Sequence, residues 1–180
     1  MPVTYTVRAG TAAAPLFSPL VELYALVYAE PPYEEGPEQV SRFADGLPAE
    51  ATRPGFTLVA AEDDGRLIGA AYGWTMPAGR WWLRSDQDPP ADVLVADKLA
   101  VMEWIVTPER RGDGVGSGLM VRLLGGRPER YATLASDPRA AARRIYERAG
   151  WRQVARSPLP DGTPMDLLLL DLPAVPVQGD

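Results

Sequence analysis

The sequence predicts an α/β fold of the mixed α+β kind, a sheet with helices on its faces, and three patterns carry that expectation. Near the start, Val3, Tyr5 and Val7 alternate with Thr4, Thr6 and Arg8, the period of a strand with one buried face. In the middle, two apolar runs, 56–62 and 67–74, flank Asp63-Asp64-Gly65-Arg66, which signals an antiparallel hairpin. Toward the end, apolar strands alternate with helical patterns, as they do where parallel strands are joined within a mixed sheet.

The remaining elements follow in chain order. Leu16, Leu20, Leu23, Tyr24 and Val27 fall on one helical stripe that begins near Pro15 and ends before Glu30-Pro31-Pro32, since paired prolines cannot continue a helix. Val40, Phe43 and Leu47 predict a second, shorter helix after Pro37. Residues 76–90 contain Pro77, Gly79, Pro89, Pro90 and the Trp81-Trp82 pair, and read as a long loop of the kind that covers a site. A strand over 101–106 then passes through Thr107-Pro108-Glu109 into a glycine-spaced loop, and Leu119, Met120, Leu123 and Leu124 follow at helical spacing. Residues 131–136 form a short strand, Asp137-Pro138 an N-cap with proline at the first helical position, and 139–149 a helix stopped by Gly150. A last buried strand is expected over 165–172. The chain of 180 residues suits a single domain over 1–172, with 173–180 as a loose tail.

Composition narrows the chemistry. With no cysteine there is no disulfide, thiolate metal site or cysteine nucleophile, and with no histidine the commonest general base and metal ligand are missing. Acid–base work falls to carboxylates, tyrosine, lysine or water, and no metal is expected. The net charge of −6 and a pI near 4.8 have the wrong sign for a nucleic-acid binder, which gains affinity by neutralising phosphates. No stretch of about 18 apolar residues or signal-peptide pattern is apparent, so no membrane association is expected and the default location is cytoplasmic.

The loop after the strand at 101–106 is the most informative segment. Arg110-Arg111-Gly112-Asp113-Gly114-Val115-Gly116-Ser117-Gly118 lets successive main-chain N–H groups turn toward one anion, at a helix N-terminus and beside guanidinium groups. A pyrophosphate is the expected guest. A Walker loop requires Lys-Ser or Lys-Thr after the last glycine, and neither is present; a dinucleotide fingerprint requires glycine where the chain has Ser117. What remains is Arg111, two residues, Gly114, one residue, Gly116.

In that spacing the chain resembles the GCN5-related N-acetyltransferases (GNAT family), which bind acetyl-coenzyme A. A second block supports the resemblance: Ala142, Tyr146, Gly150 and Trp151 stand where the family has Ala, Tyr, Gly and an aromatic residue, although Arg139 replaces its usual Asn. The two blocks together span 99–151. The resemblance implies the GNAT fold, a central twisted mixed sheet of about six to seven strands flanked by helices on both faces. It implies acetyl-CoA as cosubstrate, held by the main chain of Trp104, Ile105 and Val106 along the pantetheine arm, by Arg111, Gly112, Asp113, Gly114, Val115, Gly116 and Ser117 at the diphosphate, and by Ala142 and Tyr146. Asp113 puts an anion inside the anion-binding loop; its side chain is expected to point to solvent, offset by Arg110, Arg111, Arg143 or Arg144.

Acetyl transfer to an amine makes further demands. A lysine-like amine titrates near ~10.4 and must lose its proton before attack. Glu103, on the strand just before the loop, is the best-placed carboxylate, and strand alternation decides whether it faces a cleft or the outer side. The leaving thiolate needs a proton, and Tyr146 matches the family's tyrosine. Without cysteine the transfer is expected to be direct, in a ternary complex. Six carboxylates, Glu30, Glu34, Glu35, Glu38, Asp45 and Glu50, and one cation, Arg42, lie between residues 30 and 50. That imbalance favours a cationic acceptor. In the family the first two helices and their connection wall the acceptor site, which makes Tyr28, Glu30 and Tyr33 candidates, with Trp74, Trp81 and Trp82 as an aromatic wall. The expected partner is a small-molecule or peptide amine, with the protein a monomer or homodimer. The competing expectation is an acyl-CoA sensor or interaction module on the same fold without turnover.

Overall fold

The seven strands β1 (Thr4–Ala9), β2 (Thr57–Asp63), β3 (Arg66–Met76), β4 (Lys98–Val106), β5 (Tyr131–Ser136), β6 (Arg152–Arg156) and β7 (Asp166–Asp171) form one mixed sheet in the order β1-β2-β3-β4-β5-β7-β6. The helices are α1 (Phe17–Tyr28), α2 (Pro37–Glu50), α3 (Ala91–Leu94), α4 (Val115–Leu124) and α5 (Ala142–Arg148), with 3₁₀ segments at Gly10–Leu16 and Pro108–Arg110. The structure is a computed structural model that describes residues 2–173, so the tail expected over 173–180 lies, Pro173 apart, outside the described residues. The sheet is mixed as expected: β4 runs parallel to β5, and β1–β2, β2–β3, β5–β7 and β6–β7 are antiparallel. By internal packing the described residues divide into two compact units, one of residues 2–74 and 101–125, the other of 75–100 and 126–173.

In the first unit the hairpin forms as its sequence dictates, with Asp64 (φ 53°) and Gly65 (φ 75°) both in the left-handed region that a tight two-residue turn demands. Alternation along the strands then sorts side chains to two faces. Leu58 and Ala60 of β2 and Ala70 and Tyr72 of β3 pack in one cluster with Leu20, Leu23, Tyr24 and Val27 of α1 and Leu47 of α2. The opposite face belongs to α4: a Cβ placed on Gly69 of β3 would lie 3.1 Å from the side chains of Val115 and Leu119.

Three expectations for this unit are corrected. The second helix is not the shorter one, because α2 has 14 residues against 12 in α1 and continues through Pro48 beyond its last buried residue, Leu47. The first strand buries no side chain fully and leaves Val7 50% exposed, because β1 is an edge strand whose one neighbour is β2. An apolar stretch of membrane-spanning length does exist, the 19 residues Gly10–Tyr28. Its first part is 3₁₀ helix and its α-helical part, α1, sends Leu20, Leu23, Tyr24 and Val27 into the core cluster.

The second unit holds two elements the sequence did not announce. β6 is a polar edge strand, Arg-Gln-Val-Ala-Arg with a register irregularity between Gln153 and Ala155, and so lacks the alternation that betrays a strand. The single turn of α3 is closed by buried Lys98, whose ammonium donates to the carbonyls of Val93 (3.1 Å) and Ala96 (2.7 Å), a cation at a helix C-terminus. Burial lowers the Lys98 pKa, against the raising effect of Asp97. β7 lies between β5 and β6, which explains its continuous buried run Leu167-Leu168-Leu169.

α5 starts at Ala142, not Arg139. The buried Asp137 carboxylate accepts from the Arg139 main-chain N–H (2.8 Å) and pairs with its guanidinium (2.6 Å), holding the chain in a turn before the helix begins. The stop at Gly150 is as expected. With φ at 88°, Gly150 donates to the Glu147 carbonyl and Trp151 to the Tyr146 carbonyl, a Schellman closure.

Candidate active site

The glycine-spaced loop divides its glycines between two tasks. Gly112 (φ 89°) and Gly114 (φ 81°) take left-handed conformations that turn the chain into α4, and Gly114 is the N-cap. The first amides of the helix, those of Val115, Gly116 and Ser117, lack an intrahelical acceptor, and a glycine N-cap has no side chain with which to satisfy them. Gly116 lies inside the helix, contrary to the expectation of a loop residue. It is needed because the indole of Trp104 packs on it: Trp104 Nε1 donates to the Gly116 carbonyl (2.9 Å), and a Cβ there would lie 3.3 Å from the indole nitrogen.

The charges around this loop are paired. Arg110 bonds the Asp63 carboxylate and, through Nε, the Asp113 carboxylate at 3.0 Å, which keeps its guanidinium firmly charged. The Asp113 side chain is exposed, as expected, and Arg110 offsets its charge. In the second unit Arg143 is engaged by Glu147 and Asp166, each at 3.4 Å, and Arg144 is exposed. Arg111, the arginine of the spacing, places Nη1 2.7 Å from the Glu30 carboxylate and donates through Nε to the Val106 carbonyl (3.3 Å).

On β4 the alternation is resolved. Trp104 reaches toward α4, whereas Glu103 meets α1, where the Tyr28 hydroxyl donates to Oε2 at 2.6 Å. Ile105, two residues on, packs in the α1–α2 cluster on that same side. Glu103 is half-buried and, among the described residues, no cation is bonded to it. Burial pushes its carboxyl up to about 8, the Tyr28 hydrogen bond works in the opposite direction, and the nearby negative charge of Glu35 adds to the rise. Burial and the Glu103 charge in turn push the Tyr28 phenol far above its ordinary range, so it remains a donor.

An aromatic wall surrounds this pair. Tyr24 stacks on Phe43 (3.9 Å between centroids) and tilts against Tyr28 (4.3 Å), and Tyr33 meets Tyr28 edge-on (4.7 Å). The Tyr24 hydroxyl donates to Glu35 Oε2 at 2.6 Å, a second phenol–carboxylate pair beside the first. Burial, then the Glu103 charge, raise the phenols of Tyr24 and Tyr72 as well. Sequence reading singled out Tyr28 and Tyr33 here but passed over Tyr24, Phe43, Tyr72 and Glu35. The first three carry the signal of ordinary core positions, and Glu35 is one acid in an acidic run.

The other candidates are placed as follows. Trp74 donates its indole N–H to Glu50 and lies under the Arg53 guanidinium (4.3 Å), so its ring is already occupied. Trp81 and Trp82 anchor the 77–90 loop within the second unit: Trp81 bonds Ser85 (3.1 Å) and packs on the cluster of Val93, Tyr131 and Leu169, and Trp82 bonds Thr133 of β5 (3.0 Å). That loop is further tied by Asp86, which exchanges hydrogen bonds with the main chain of Arg156. Ala142 opens α5, and Tyr146, also in the second unit, is buried with its ring edge-on to Trp151 (5.9 Å). The ladder between β4 and β5 covers Lys98–Ala100, leaving Trp104, Ile105 and Val106 beyond its register.

Comparison with known proteins agrees with this architecture. The chain resembles the PaiA N-acetyltransferase of Thermoplasma acidophilum, solved in complex with coenzyme A, with a TM-score of 0.64, 13% identity and coverage of 95% of this chain and 99% of that one. It resembles the aminoglycoside 6′-acetyltransferase type Ii with a TM-score of 0.65, 17% identity and coverage of 98% and 100%. A third likeness is to NAA60 of Arabidopsis thaliana in complex with a bisubstrate analogue, with a TM-score of 0.61, 16% identity and coverage of 96% and 100%. No curated protein matches the chain in sequence. The profile of the acetyltransferase (GNAT) family matches residues 20–151, and by that match the chain belongs to the GNAT family.

Proposed function

We propose that the protein is an N-acetyltransferase that moves the acetyl group of acetyl-CoA directly onto a primary amine of a cationic acceptor, with Glu103 as general base. The observation that carries this reading is the Tyr28–Glu103 pair: a half-buried carboxylate, bonded to a phenol and not to a cation, whose pKa sits near 8. A base with a pKa close to the working pH accepts a proton and releases it again at little cost. Glu35, which accepts the Tyr24 hydroxyl, adds negative charge beside Glu103, so the surroundings suit a cation before deprotonation and the base suits it after.

The diphosphate end of the cosubstrate fits the residues present. Uncapped amides at the start of α4, the side-chain-free N-cap Gly114 and the Arg111 guanidinium supply donors and charge for two phosphates. The main chain of Trp104, Ile105 and Val106 is the proposed rail for the pantetheine arm, supported by a β4–β5 ladder whose register covers only Lys98–Ala100. Attack by the neutral amine on the thioester carbonyl forms the amide and expels the thiolate. Two protons leave the nitrogen, the first from the ammonium to Glu103 and on to solvent, the second as the attacking nitrogen becomes the amide. The thiolate acquires a proton from a phenol, which the family motif assigns to Tyr146, and the second nitrogen proton restores that phenol through solvent.

A thiol-release assay across a panel of amines tests the proposal. Wild type turns over at least one amine, Glu103→Gln lowers kcat by about 100-fold or more, and Tyr146→Phe lowers it while coenzyme A binding persists. In wild type kcat/KM rises with pH through a value near 8, because the deprotonated carboxylate is the active form, and the Gln variant loses that limb. Coenzyme A binding without turnover of any amine overturns catalysis in favour of an acyl-CoA sensor.

A further inference from the structure

The arginine that the motif assigns to the diphosphate is already in use. Arg111 Nη1 lies 2.7 Å from Glu30 Oε2, and Arg110 beside it is held by Asp63 and Asp113. Glu30 is not an isolated surface acid. Its carbonyl accepts the main-chain N–H groups of Tyr33 (3.1 Å) and Glu34 (3.2 Å), and the next residue, Glu35, donates its N–H to the Tyr28 carbonyl (2.8 Å) and accepts the Tyr24 hydroxyl. One short connection between α1 and α2 thus joins the Arg111 guanidinium to the aromatic wall around Glu103.

A carboxylate and a phosphate compete for the same planar fork of guanidinium donors, and the ion pair is partly solvated on both sides, with 48% of the Arg111 side chain and 41% of that of Glu30 exposed. Such a pair is weak, whereas a guanidinium–phosphate contact backed by helix amides is stronger. We propose that Glu30 is a placeholder for the diphosphate: it occupies Arg111 until the acyl carrier displaces it, and its release loosens the 30–35 connection, so that the acceptor wall takes its final form only after the carrier is bound. The inference rests on the assignment of Arg111 to the diphosphate made above and adds a residue, Glu30, that belongs functionally to the cosubstrate rather than to the acceptor, as the sequence suggested. It also accounts for the position of the acid: a carboxylate that only made the rim more acidic would have no need to reach the arginine of the phosphate loop.

Coenzyme A itself is the probe. In calorimetric titration at fixed low salt, Glu30→Gln binds coenzyme A about two- to fivefold more tightly than wild type, the range expected when a partly exposed competing ion pair is removed. In an Arg111→Gln background coenzyme A binds more weakly, and adding Glu30→Gln no longer tightens it, because the competitor has lost its target. Unchanged or weaker binding by Glu30→Gln, with folding confirmed by circular dichroism, overturns the placeholder role while leaving the acetyltransferase reading intact. No coenzyme A binding by wild type overturns both. Amide hydrogen exchange reads the coupling: coenzyme A speeds exchange at Tyr33 and Glu34 in wild type, and unchanged or slowed exchange there overturns it.

Discussion

Acids shielded from solvent in whole or in part keep opposite company in the two units of the molecule. In the first, Glu103 and Glu35 accept hydrogen bonds from tyrosines at 2.6 Å and, among the described residues, neither is bonded to a cation. In the second, Glu129 is clasped by Arg127 (2.5 Å) and Thr75, Asp137 by Arg139 (2.6 Å), and Asp166 by Arg143 (3.4 Å). The pKa directions follow the partners. Glu103 is pushed up to about 8 by burial that no positive charge offsets, whereas hydrogen bonds outweigh burial to lower the pKa of Glu129, and the Arg139 hydrogen bond lowers that of Asp137. An acid given a cation serves stability; an acid given only a phenol is left able to exchange a proton.

The largest effect expected from this contrast is on Glu129. Its removal in Glu129→Ala strips the buried Arg127 guanidinium of this carboxylate and costs about 3–5 kcal/mol in urea unfolding. A loss below 1 kcal/mol would break the claim that this pair is structural.

Glu103 is expected to behave in the opposite sense. Its folded-state pKa lies above the unfolded value, so between about 4.5 and 8 the folded chain holds a proton the unfolded chain has lost, and stability declines as pH rises through that window. Glu103→Gln removes the decline. It raises the melting temperature at pH 9, by a stabilisation on the order of 1–3 kcal/mol after allowance for partial solvation, and changes it little at pH 5. A variant less stable than wild type at pH 9 contradicts the account.

For Asp137 the folded pKa is depressed, so its contribution is present above the unfolded value near 3.8 and disappears as pH falls through the folded one. Asp137→Ala therefore costs about 1–2 kcal/mol at pH 7 and progressively less below pH 3.8, measured by denaturant titration at each pH. The smallest effect sharpens the contrast from outside it: the exposed Glu38–Arg42 pair (2.9 Å) contributes under about 0.5 kcal/mol, and Arg42→Ala is near neutral in the same assay.

How much of this was legible in the sequence depends on the range of the interaction. The helical stripe of α1, the Asp64-Gly65 turn, β5 within its expected bounds and the stop at Gly150 all follow from local rules, because the residues that decide them are neighbours in the chain. So does the family, since the spacing of Arg111, Gly114 and Gly116 and the second block at 142–151 are themselves local. The edge strand β6 escaped because one neighbour and an open side ask little of its residues, and the late start of α5 because a buried carboxylate can hold a turn as well as cap a helix.

At the site the division is sharper. Sequence alone determined that any acid–base chemistry falls to carboxylates, tyrosine, lysine or water, that a glycine-spaced segment flanked by arginine leads into α4, and that Glu103 stands three residues before that strand ends. Only the tertiary structure decided which face Glu103 takes, that Tyr28 and not a cation is its partner, that Gly116 is there for the Trp104 indole, and that Glu30 holds Arg111. Each of these is a contact across 12 or more residues, 75 of them between Tyr28 and Glu103. A side chain's pKa and partners are set by what the fold brings beside it, and no spacing along the chain encodes the dielectric or the charge it will meet there.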